Sequence, residues 1–437
     1  MHSANQSQEA RLRSQQFSLQ HELLLKELQQ QQRLLVIQDL DGVCMGLVKD
    51  PLTRTLSRNY IQAAKKLSQR FYVLTNGEHQ GKRGVNAIVD QALASTSNTD
   101  HGCYLPGLGA GGVQWQNEWG ETDLPGVTEA EVAFLQSVTQ RFKSDLTELL
   151  SLPPYQLSPT EIEAIMAVVL LDNPLSPTIN INGFSTLLEN DWQAFLALQR
   201  SLKQTMEATL EAARDNGLDN SFFIHYAPNL GKGSEGERIK WATENDLGTT
   251  DFQFMFKGAI KEVGVLVLLN RYYHSLTGSY PLGKDFNVRQ APHDHDKLIE
   301  LAKQHFDPGL MPCIVGVGDT ITSQRSEQSE DASSNFLRGG SDRGFLTLVQ
   351  ELGKALNRDS AVVFVDSSGG ELNRPSVNTE WLATREANDS WRGVKGISDP
   401  EDPLRINFIF PKGHRQYVEF FCTLSADAKH AIGSGAT

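Results

Sequence analysis

Four short runs of apolar, mostly branched residues, each followed at once by polar residues, constrain the fold of this 437-residue chain most strongly. The runs cover residues 34–37, 71–74, 313–317 and 362–365, and the polar residues that follow are Gln38-Asp39, Thr75-Asn76, Gly318-Asp319 and Asp366. Continuous apolar runs of this length are typical of parallel strands that helices cover on both faces. We therefore predict an α/β fold of the Rossmann-like type, with a parallel central sheet.

The polar residues after these runs are predicted to meet at one edge of the sheet. Residues 60–70 carry apolar side chains at helical spacing between the first two runs, which completes a strand–helix–strand unit by about residue 76. In open α/β sheets, ligands bind beyond the carboxyl ends of the strands. We therefore expect a ligand site at this edge.

The middle of the chain has a different pattern. Thr128 begins a capping box ahead of a predicted helix that ends near residue 150, and a second helix is predicted over 191–214. Strands are predicted over 165–171 and 222–226. These elements indicate an α+β module inserted between the second and third strands of the parallel sheet.

We accordingly expect a catalytic core and an inserted cap. The predicted core comprises residues 33–95 and 250–425, and the cap comprises residues 96–249. Residues 1–32 are expected to form an amphipathic helix behind a flexible end, and residues 426–437 a flexible C-terminus. The stretch 322–340 is rich in Ser, Gln and Gly and is predicted to be a mobile loop.

Charge and cysteine content exclude several classes of function. Lys and Arg total 40 and Asp and Glu total 53, so the net charge is −13, which disfavours nucleic acid and membrane surfaces as main partners. The longest apolar runs, 165–171 and 263–269, are far shorter than the roughly 20 residues of a membrane-spanning helix. The N-terminal segment shows no signal-peptide pattern, and the four cysteines form no C-x-x-C pair. We therefore expect a cytoplasmic protein.

The most specific local pattern is Asp39-Leu40-Asp41-Gly42, directly after the first strand. Two neighbouring carboxylates in different environments can serve as a nucleophile and a general acid. A carboxylate that attacks a phosphoryl group forms an aspartyl-phosphate. Taken alone, the four residues are explained equally well as a solvated acidic turn.

Complementary residues at the other strand ends favour a phosphatase. Thr75 and Asn76 end the second strand, where a hydroxyl and an amide can bind phosphate oxygens. Lys261, at the start of a predicted helix, can offset the charge of the nucleophile and the phosphate. Each has an ordinary structural explanation by itself, but their joint occurrence at one sheet edge favours chemistry. Together with Asp39 and Asp41, Asp319 offers the hard oxygen ligands that suit Mg²⁺.

In order, Asp39-Leu-Asp-Gly42, Thr75, Lys261 and Gly318-Asp319 resemble the four motifs of the haloacid dehalogenase superfamily. The resemblance implies a Mg²⁺-dependent phosphatase in which Asp39 is the nucleophile and Asp41 first protonates the leaving oxygen and then activates water. It also implies that Thr75 and Lys261 bind the transferring phosphoryl group. Mg²⁺ would be held by Asp39, the backbone carbonyl of Asp41 and the acids of the fourth motif.

The fourth motif departs from the family pattern. The superfamily usually has a second acid about four residues after Gly-Asp, and here Ser323 occupies that place. The phrase Ser341-Asp342-Arg343-Gly344-Phe345 resembles the end of this motif in trehalose-phosphate phosphatases. We therefore predict that Asp342 is the second metal-binding acid, with Asp366 as the alternative.

Longer stretches resemble the cyanobacterial glucosylglycerol-phosphate phosphatase family over residues 17–420. They include QDLDGVCMGLVKDPLTR, FYVLTNGEHQGKRGV, YLPGLGAGGVQWQ and NSFFIHYAPNLG. The resemblance implies hydrolysis of glucosylglycerol 3-phosphate during synthesis of a compatible solute under salt stress. On pathway grounds alone, it makes the synthase of that phosphate a candidate partner.

Five residues are predicted to contact the sugar because aromatic faces, amides and carboxylates suit hydroxyl-rich ligands. They are Glu78, Trp115, His225, Asp251 and Gln253. A core role for the tryptophan and the histidine is the ordinary alternative, and Glu78 could equally belong to a charged helix start with Lys82 and Arg83. Cys44 is assigned no role.

Three other functions remain open from the residues alone. The same enzyme type could act on trehalose or sucrose phosphate. A phospho-accepting receiver domain also places an aspartate, a threonine and a lysine at strand ends. Asp41, a second acid that would drive hydrolysis, and the large insertion both disfavour this class. A sugar-binding protein without activity is disfavoured by the retained acids.

Overall fold

The computed structural model describes residues 11–94, 102–188, 191–233, 236–326, 335–383 and 389–426. Its strands are β1 (Leu34–Gln38), β2 (Phe71–Leu74), β3 (Gly107–Gly109), β4 (Gln114–Gln116), β5 (Thr122–Asp123), β6 (Leu170–Leu171), β7 (Thr178–Asn180), β8 (Phe222–Ala227), β9 (Asn229–Gly233), β10 (Gly236–Ile239), β11 (Asp251–Phe256), β12 (Cys313–Gly318), β13 (Thr322–Arg325), β14 (Phe336–Gly339), β15 (Ser360–Val365) and β16 (Phe408–Phe410).

The α-helices of the same residues are α1 (His21–Gln29), α2 (Arg58–Lys66), α3 (Val85–Leu93), α4 (Glu129–Ser151), α5 (Pro159–Val169), α6 (Phe184–Leu187), α7 (Trp192–Asp215), α8 (Lys261–Thr277), α9 (His295–His305), α10 (Arg343–Ala355), α11 (Thr379–Ala383) and α12 (His414–Ala426).

The core sheet confirms the predicted α/β class. Its strand order is β16-β15-β12-β1-β2-β3-β4-β5, and neighbours are parallel from β16 through to β3. The four predicted runs are its strands β1, β2, β12 and β15. Only the β3–β4 and β4–β5 pairs of this sheet are antiparallel. Parallel strand ends therefore converge at one edge, as the sequence predicts.

Burial on both faces explains the continuous apolar runs. Along β1, Leu35 and Ile37 belong to one apolar cluster, whereas Leu34 and Val36 belong to another. Because successive side chains of a strand point to opposite faces, the two clusters lie on opposite sides of the sheet. Helices α8 and α10 pack in the first cluster, and α2 and α12 pack in the second.

A second sheet, in the order β6-β7-β11-β8, forms the cap. Its neighbouring strands are antiparallel, and α4, α5 and α7 pack against them. Thr128 makes the predicted capping box at the start of α4.

The strand pairing corrects the predicted domain boundaries at two places. Strands β3 to β5, within the predicted cap of residues 96–249, belong to the core sheet, and β11, within the predicted core segment 250–425, belongs to the cap sheet. Short strands carry no local signal of the sheet that they join, because pairing depends on partners distant in sequence. The division into core and cap stays a proposal with these boundaries moved.

The predicted strand over 165–171 was wrong for most of its length. Helix α5 spans Pro159–Val169, and only Leu170–Leu171 is extended. Ser158 caps the helix and Pro159 occupies its first position, both strong helix-start signals. The prediction relied on the apolar run 165–171 and not on these helix-start signals. A short apolar run does not distinguish a buried strand from a buried helix.

The predicted loop over 322–340 begins and ends as an antiparallel hairpin, β13–β14, while residues 327–334 lie outside the described residues. Of the predicted N-terminal segment 1–32, residues 1–10 lie outside the described residues and α1 forms over His21–Gln29. Of the predicted flexible C-terminus 426–437, residues 427–437 also lie outside them. Within the described residues, no helix combines the length and apolar character needed to cross a membrane.

Candidate active site

The carboxyl edge of the core sheet brings four predicted residues together. Asp39 follows β1, Asp319 follows β12, and Lys261 begins α8. Lys261 Nζ lies 2.8 Å from Asp39 Oδ2 and 2.8 Å from Asp342 Oδ1. One carboxylate oxygen from each of the three aspartates lies within 4.8 Å of the other two, and all three residues are buried.

Asp342 is joined to this edge by its backbone contacts as well as by Lys261. Its Oδ2 accepts hydrogen bonds from the backbone N–H groups of Asp319 and Thr320, each at 3.0 Å. Asp366 has no such contact with Lys261 among the hydrogen bonds and ion pairs of the described residues. Its two oxygens instead accept from the backbone N–H groups of Ser368 at 2.9 Å and Val377 at 2.8 Å. This geometry favours Asp342 over Asp366 as the second acid.

Burial and mutual repulsion dominate the electrostatics of the cluster. Burial raises the pKa of Asp39 to about 7, although the Lys261 ammonium opposes the shift. Burial and the neighbouring Asp342 and Asp39 carboxylates also raise the pKa of Asp319 well above its ordinary value. Burial would lower the pKa of Lys261, but the carboxylates of Asp342 and Asp39 raise it above its ordinary value. One ammonium cannot balance three ionised carboxylates, and the raised pKa values of Asp39 and Asp319 reflect this repulsion together with burial.

This arrangement fits a divalent cation. Asp319 Oδ2 is buried and has no hydrogen-bond partner. Gly42 lies directly beside it, since a Cβ built on Gly42 would be 2.1 Å from that oxygen. An unpaired buried carboxylate oxygen is costly unless a cation meets it. Mg²⁺ takes carboxylate oxygens readily, so the donor set suits it.

Asp41 lies outside the group of three. Its Oδ1 is 2.9 Å from Arg54 Nε, and its side chain is 28% exposed. A half-exposed carboxylate beside the cluster is accessible to a substrate's leaving oxygen, as the predicted acid–base role requires. Arg54 ends the stretch QDLDGVCMGLVKDPLTR that carries the family resemblance, but it was given no role because no spacing pattern marks a single arginine.

The second strand end connects core and cap. Thr75 Oγ1 accepts from the N–H of Gly77 at 3.1 Å, which does not use the hydroxyl hydrogen. Asn76 Nδ2 lies 3.0 Å from Nε2 of His225, a cap residue on β8. A predicted phosphate ligand and a predicted sugar ligand are therefore in direct contact.

One face of the cap sheet carries three of the predicted sugar ligands. Gln253 on β11 lies opposite His225 on β8, and Asp251 lies two residues from Gln253 on the same face. Gln253 Oε1 is buried without a partner, and Asp251 accepts from Asn180 Nδ2 at 2.8 Å. A face that carries a carboxylate, an imidazole and an amide with an unpaired oxygen suits a hydroxyl-rich ligand.

Electrostatics place Asp251 near the core edge. Burial raises its pKa to about 6, while the Arg374 and Arg54 guanidinium groups oppose the shift. Arg374 also opposes the raised pKa of Asp319, and its buried Nε has no partner. Arg374 lies in the polar segment after β15 and, like Arg54, was not identified from sequence.

The other predicted sugar ligands make structural contacts. Glu78 accepts from Leu175 N–H at 2.8 Å and Ser176 Oγ–H at 3.0 Å, which ties the loop after β2 to the cap. Trp115 stacks on Arg271, whose Cζ is 3.7 Å from the ring centroid. These contacts account for both side chains without a ligand, and their predicted sugar contacts stay predictions.

Neighbouring residues also have structural explanations. Lys82 and Arg83 both form ion pairs with Asp172. Burial raises the pKa of the Cys44 thiol, which is consistent with no role in nucleophilic chemistry.

A parallel sheet with three aspartates and a lysine at its carboxyl edge, under an antiparallel cap, is the arrangement expected from the resemblance to the haloacid dehalogenase superfamily. Residues 33–425 match the family model for glucosylglycerol-phosphate phosphatase, and the chain belongs to that family. The resemblance found in the sequence is thereby confirmed.

Comparison with individual proteins agrees with the family. The chain is 48% identical over 413 residues to the glucosylglycerol-phosphate phosphatase of Synechocystis sp. (strain ATCC 27184 / PCC 6803 / Kazusa), covering 94% of this chain and 96% of that protein.

Similar solved structures include two from Candida albicans. The C-terminal domain of its trehalose synthase regulatory protein has a TM-score of 0.46 at 10% identity, covering 94% of this chain and 99% of that chain. The C-terminal domain of its trehalose-6-phosphate phosphatase has a TM-score of 0.45 at 12% identity, with the same coverage. Similarity at this level does not identify a shared function.

Proposed function

We propose that this chain is a phosphatase that hydrolyses glucosylglycerol 3-phosphate to glucosylglycerol and phosphate. The observation that carries the proposal is the contact of Lys261 with Asp39 and Asp342 at the edge of the core sheet, in a member of this family. The reaction would complete synthesis of a compatible solute for salt tolerance. A cytoplasmic location and contact with the synthase belong to the same proposal.

In the proposed mechanism, Asp39 and Asp41 divide the chemistry. A carboxylate oxygen of Asp39 forms a bond to phosphorus while the bond from phosphorus to the glycerol oxygen breaks. Asp41 gives its proton to that leaving oxygen. A water then attacks the aspartyl-phosphate and loses its proton to Asp41, which releases phosphate and restores both carboxyl groups.

The remaining core residues bind and orient the phosphoryl group. Thr75 and Asn76 donate hydrogen bonds to its oxygens, and Lys261 offsets its charge. We propose that Asp39, Asp319, Asp342 and the backbone carbonyl of Asp41 hold Mg²⁺. The ion supplies positive charge where negative charge accumulates during phosphoryl transfer.

The cap supplies recognition of the sugar. His225, Asp251 and Gln253 share one face of the cap sheet, and the contact between His225 and Asn76 supports the position of this face over the core edge. The cap excludes bulk water and places hydroxyl-binding groups near the phosphate. The alternative substrate is another sugar phosphate, such as trehalose or sucrose phosphate, because hydrogen-bonding groups of this kind do not by themselves select one sugar.

The proposal is tested by phosphate release in the presence of Mg²⁺. The substrates are glucosylglycerol 3-phosphate, trehalose 6-phosphate, sucrose 6-phosphate and glucose 6-phosphate. We expect selective release from the first, and none from Asp39→Asn, whose fold is checked by circular dichroism. Broad release would retain the phosphatase and reject the substrate. No release from any of the four would reject the activity.

A further inference from the structure

Glu237, which lies on β10 outside all predicted motifs, collects three hydrogen bonds within the cap. His225 Nδ1 lies 2.9 Å from Oε1 and 2.9 Å from Oε2, so its N–H donates to the carboxylate as a whole. Glu237 Oε2 also accepts from the Tyr226 N–H at 3.0 Å and from Asn229 Nδ2 at 3.0 Å. The side chains of Glu237 and His225 are only 12% and 8% exposed, so these bonds are shielded from water.

This carboxylate determines which nitrogen of His225 carries the proton. An ionised carboxylate only accepts hydrogen bonds, so the bond to Glu237 requires the hydrogen on Nδ1. In the neutral ring, Nε2 is then an acceptor, and it lies 3.0 Å from Asn76 Nδ2. The Asn76 amide is therefore held with its NH₂ end toward the cap.

Asn229 joins the same network to the acids of the core. Its Oδ1 accepts from the N–H of Gly340, two residues before Asp342, at 3.2 Å. Its backbone carbonyl accepts from Thr322 Oγ1 at 2.7 Å. Glu237 thus lies at the centre of contacts that run from Asn76, at one strand end, to the segment that carries Asp342.

We propose that Glu237 is a positioning residue for phosphate binding, acting through His225 on the Asn76 amide. The inference rests on the proposed function, because it takes Asn76 to be a phosphate ligand. The inference adds that the cap sets the orientation of the Asn76 amide. Phosphate should therefore bind best when the cap lies on the core.

Glu237→Gln tests the inference with little change in shape. A Gln carbonyl in the place of Oε2 keeps the bonds from Tyr226 and Asn229, and its NH₂ group then faces His225 Nδ1. The carbonyl still accepts from a hydrogen on Nδ1, whereas the NH₂ group favours a hydrogen on Nε2, so the substitution raises the share of the Nε2–H form. In that form the Nε2–H faces the NH₂ end of Asn76, and the amide must turn over or lose the contact.

Two readouts do not require turnover. The first is the protonated ring nitrogen of His225, read from nitrogen-15 NMR of the labelled protein and assigned with His225→Gln. The second is the affinity for inorganic phosphate with Mg²⁺, measured by calorimetry. We expect the share of His225 that carries its hydrogen on Nε2 to rise and the phosphate affinity to fall about tenfold, the size of one hydrogen bond to a charged group.

A double-mutant cycle separates positioning from general stabilisation. In an Asn76→Ala background, Glu237→Gln should weaken phosphate binding no further, because the residue through which it acts is absent. Glu244→Gln, at an exposed carboxylate of the cap, is the matched control and should change neither readout.

An unchanged His225 tautomer, an unchanged phosphate affinity in Glu237→Gln, or an equal loss in the Asn76→Ala background would each overturn the inference. A wild-type protein that binds no phosphate would instead overturn the proposed function and the inference together. Failure of the proposed function is seen in the wild-type protein, whereas failure of the inference is seen only when the variants are compared with it.

Discussion

Gly42 shows how closely the acidic cluster depends on a single residue. Its φ is +76°, and a Cβ there would lie 2.1 Å from Asp319 Oδ2. The residue therefore permits both the turn after Asp41 and the approach of the Asp319 carboxylate.

Gly42→Ala should lower stability and weaken Mg²⁺ binding together. The positive φ costs an alanine roughly 1–2 kcal/mol, and the displaced carboxylate should lower Mg²⁺ affinity by about 10–100-fold. Urea unfolding and calorimetric Mg²⁺ titration measure the two effects.

Gly217→Ala is the matched control. Its φ is +75°, and nothing lies within 4 Å of an added Cβ. It should show the same backbone cost and normal Mg²⁺ affinity. Equal Mg²⁺ affinity in the two variants would remove Asp319 from the metal site.

The different contacts of Asp342 and Asp366 predict different effects of substitution on Mg²⁺ binding. Asp342 contacts Lys261, whereas Asp366 holds the backbone of the following loop. We expect Asp342→Asn to weaken Mg²⁺ binding at least tenfold, as loss of a metal-site carboxylate contact does. Asp366→Asn should mainly lower the unfolding midpoint in urea. The opposite order in a Mg²⁺ titration would assign the fourth motif to Asp366.

At the scale of elements, the β13–β14 hairpin packs on β9 of the cap. The backbone N–H of Ser326 donates to the Asn335 carbonyl at 2.9 Å, at the last described residues of each arm. Gly339 lies so close to the cap that a Cβ would be 2.3 Å from Gly231 N. The base of the hairpin therefore packs closely against the cap.

Replacing residues 327–334 with Asn-Gly should leave turnover largely unchanged. A two-residue turn of this type matches the twist of an antiparallel pair, so the base of the hairpin is retained. Steady-state kinetics with the preferred substrate measure the result. An inactive protein would mean that residues 327–334 take part in catalysis.

The matched pair for the base of the hairpin is Gly339→Ala and Gly369→Ala. Only the first creates a close contact, because nothing lies within 4 Å of a Cβ on Gly369. Only Gly339→Ala should lower activity.

Glu78 joins the loop after β2 to the segment before β7, and it makes that junction sensitive to pH. Burial raises its pKa from 4.5 to about 7, although the Leu175 N–H favours the ionised form. Between pH 4.5 and about 7, the Glu78 carboxyl group is therefore protonated in the native state but ionised in the unfolded chain. The contribution of Glu78 to the free energy of unfolding therefore falls as pH rises from about 4.5 to about 7.

Glu78→Gln should remove this dependence. Its stability relative to wild type should increase between pH 4.5 and 7.5 by on the order of 3 kcal/mol, measured by urea unfolding. Glu148→Gln, at an exposed residue of α4, should show no such trend. A constant difference between Glu78→Gln and wild type would mean that Glu78 is ionised throughout.

At the scale of the whole molecule, the cluster lowers stability until a cation compensates its charge. The raised pKa of Asp319 reflects burial and repulsion by Asp342 and Asp39. A ligand that binds only the native state stabilises it by about 2.7 kcal/mol at one hundred times its dissociation constant. Mg²⁺ binding and global stability should therefore be linked.

Asp319→Asn should be more stable than wild type without a metal ion and less stable than wild type with Mg²⁺. At pH 8 in EDTA the variant should melt above wild type, because asparagine is neutral at every pH and so avoids the cost that burial and repulsion impose on the Asp319 carboxyl group. In Mg²⁺ the wild type should melt higher, because the variant lacks a ligand. Asp285→Asn, at an exposed acid, should follow wild type in both buffers. Parallel melting of wild type and Asp319→Asn would contradict the metal site.

The candidate site was predictable wherever function depends on residues at strand ends. Asp39, Asp319 and Lys261 were placed at one edge from apolar runs and the residues after them, and the structure brings them together. Asp342 was found from a short motif displaced by the Ser- and Gln-rich stretch. Glu237, Arg54 and Arg374 were missed, because their partners are distant in sequence and no local pattern marks them.

The sequence by itself determined the α/β class and the polar residues at the strand ends, because buried parallel strands need continuous apolar runs. It also determined the family, because the residues of its motifs are local in the chain. Only the tertiary structure decided that β3 to β5 join the core sheet, that β11 joins the cap, and that residues 159–169 are helical. It also decided that Trp115 packs on Arg271 and that His225 contacts Asn76. Strand pairing and side-chain contacts depend on residues far apart in the chain, whereas periodicity reports only on local neighbours.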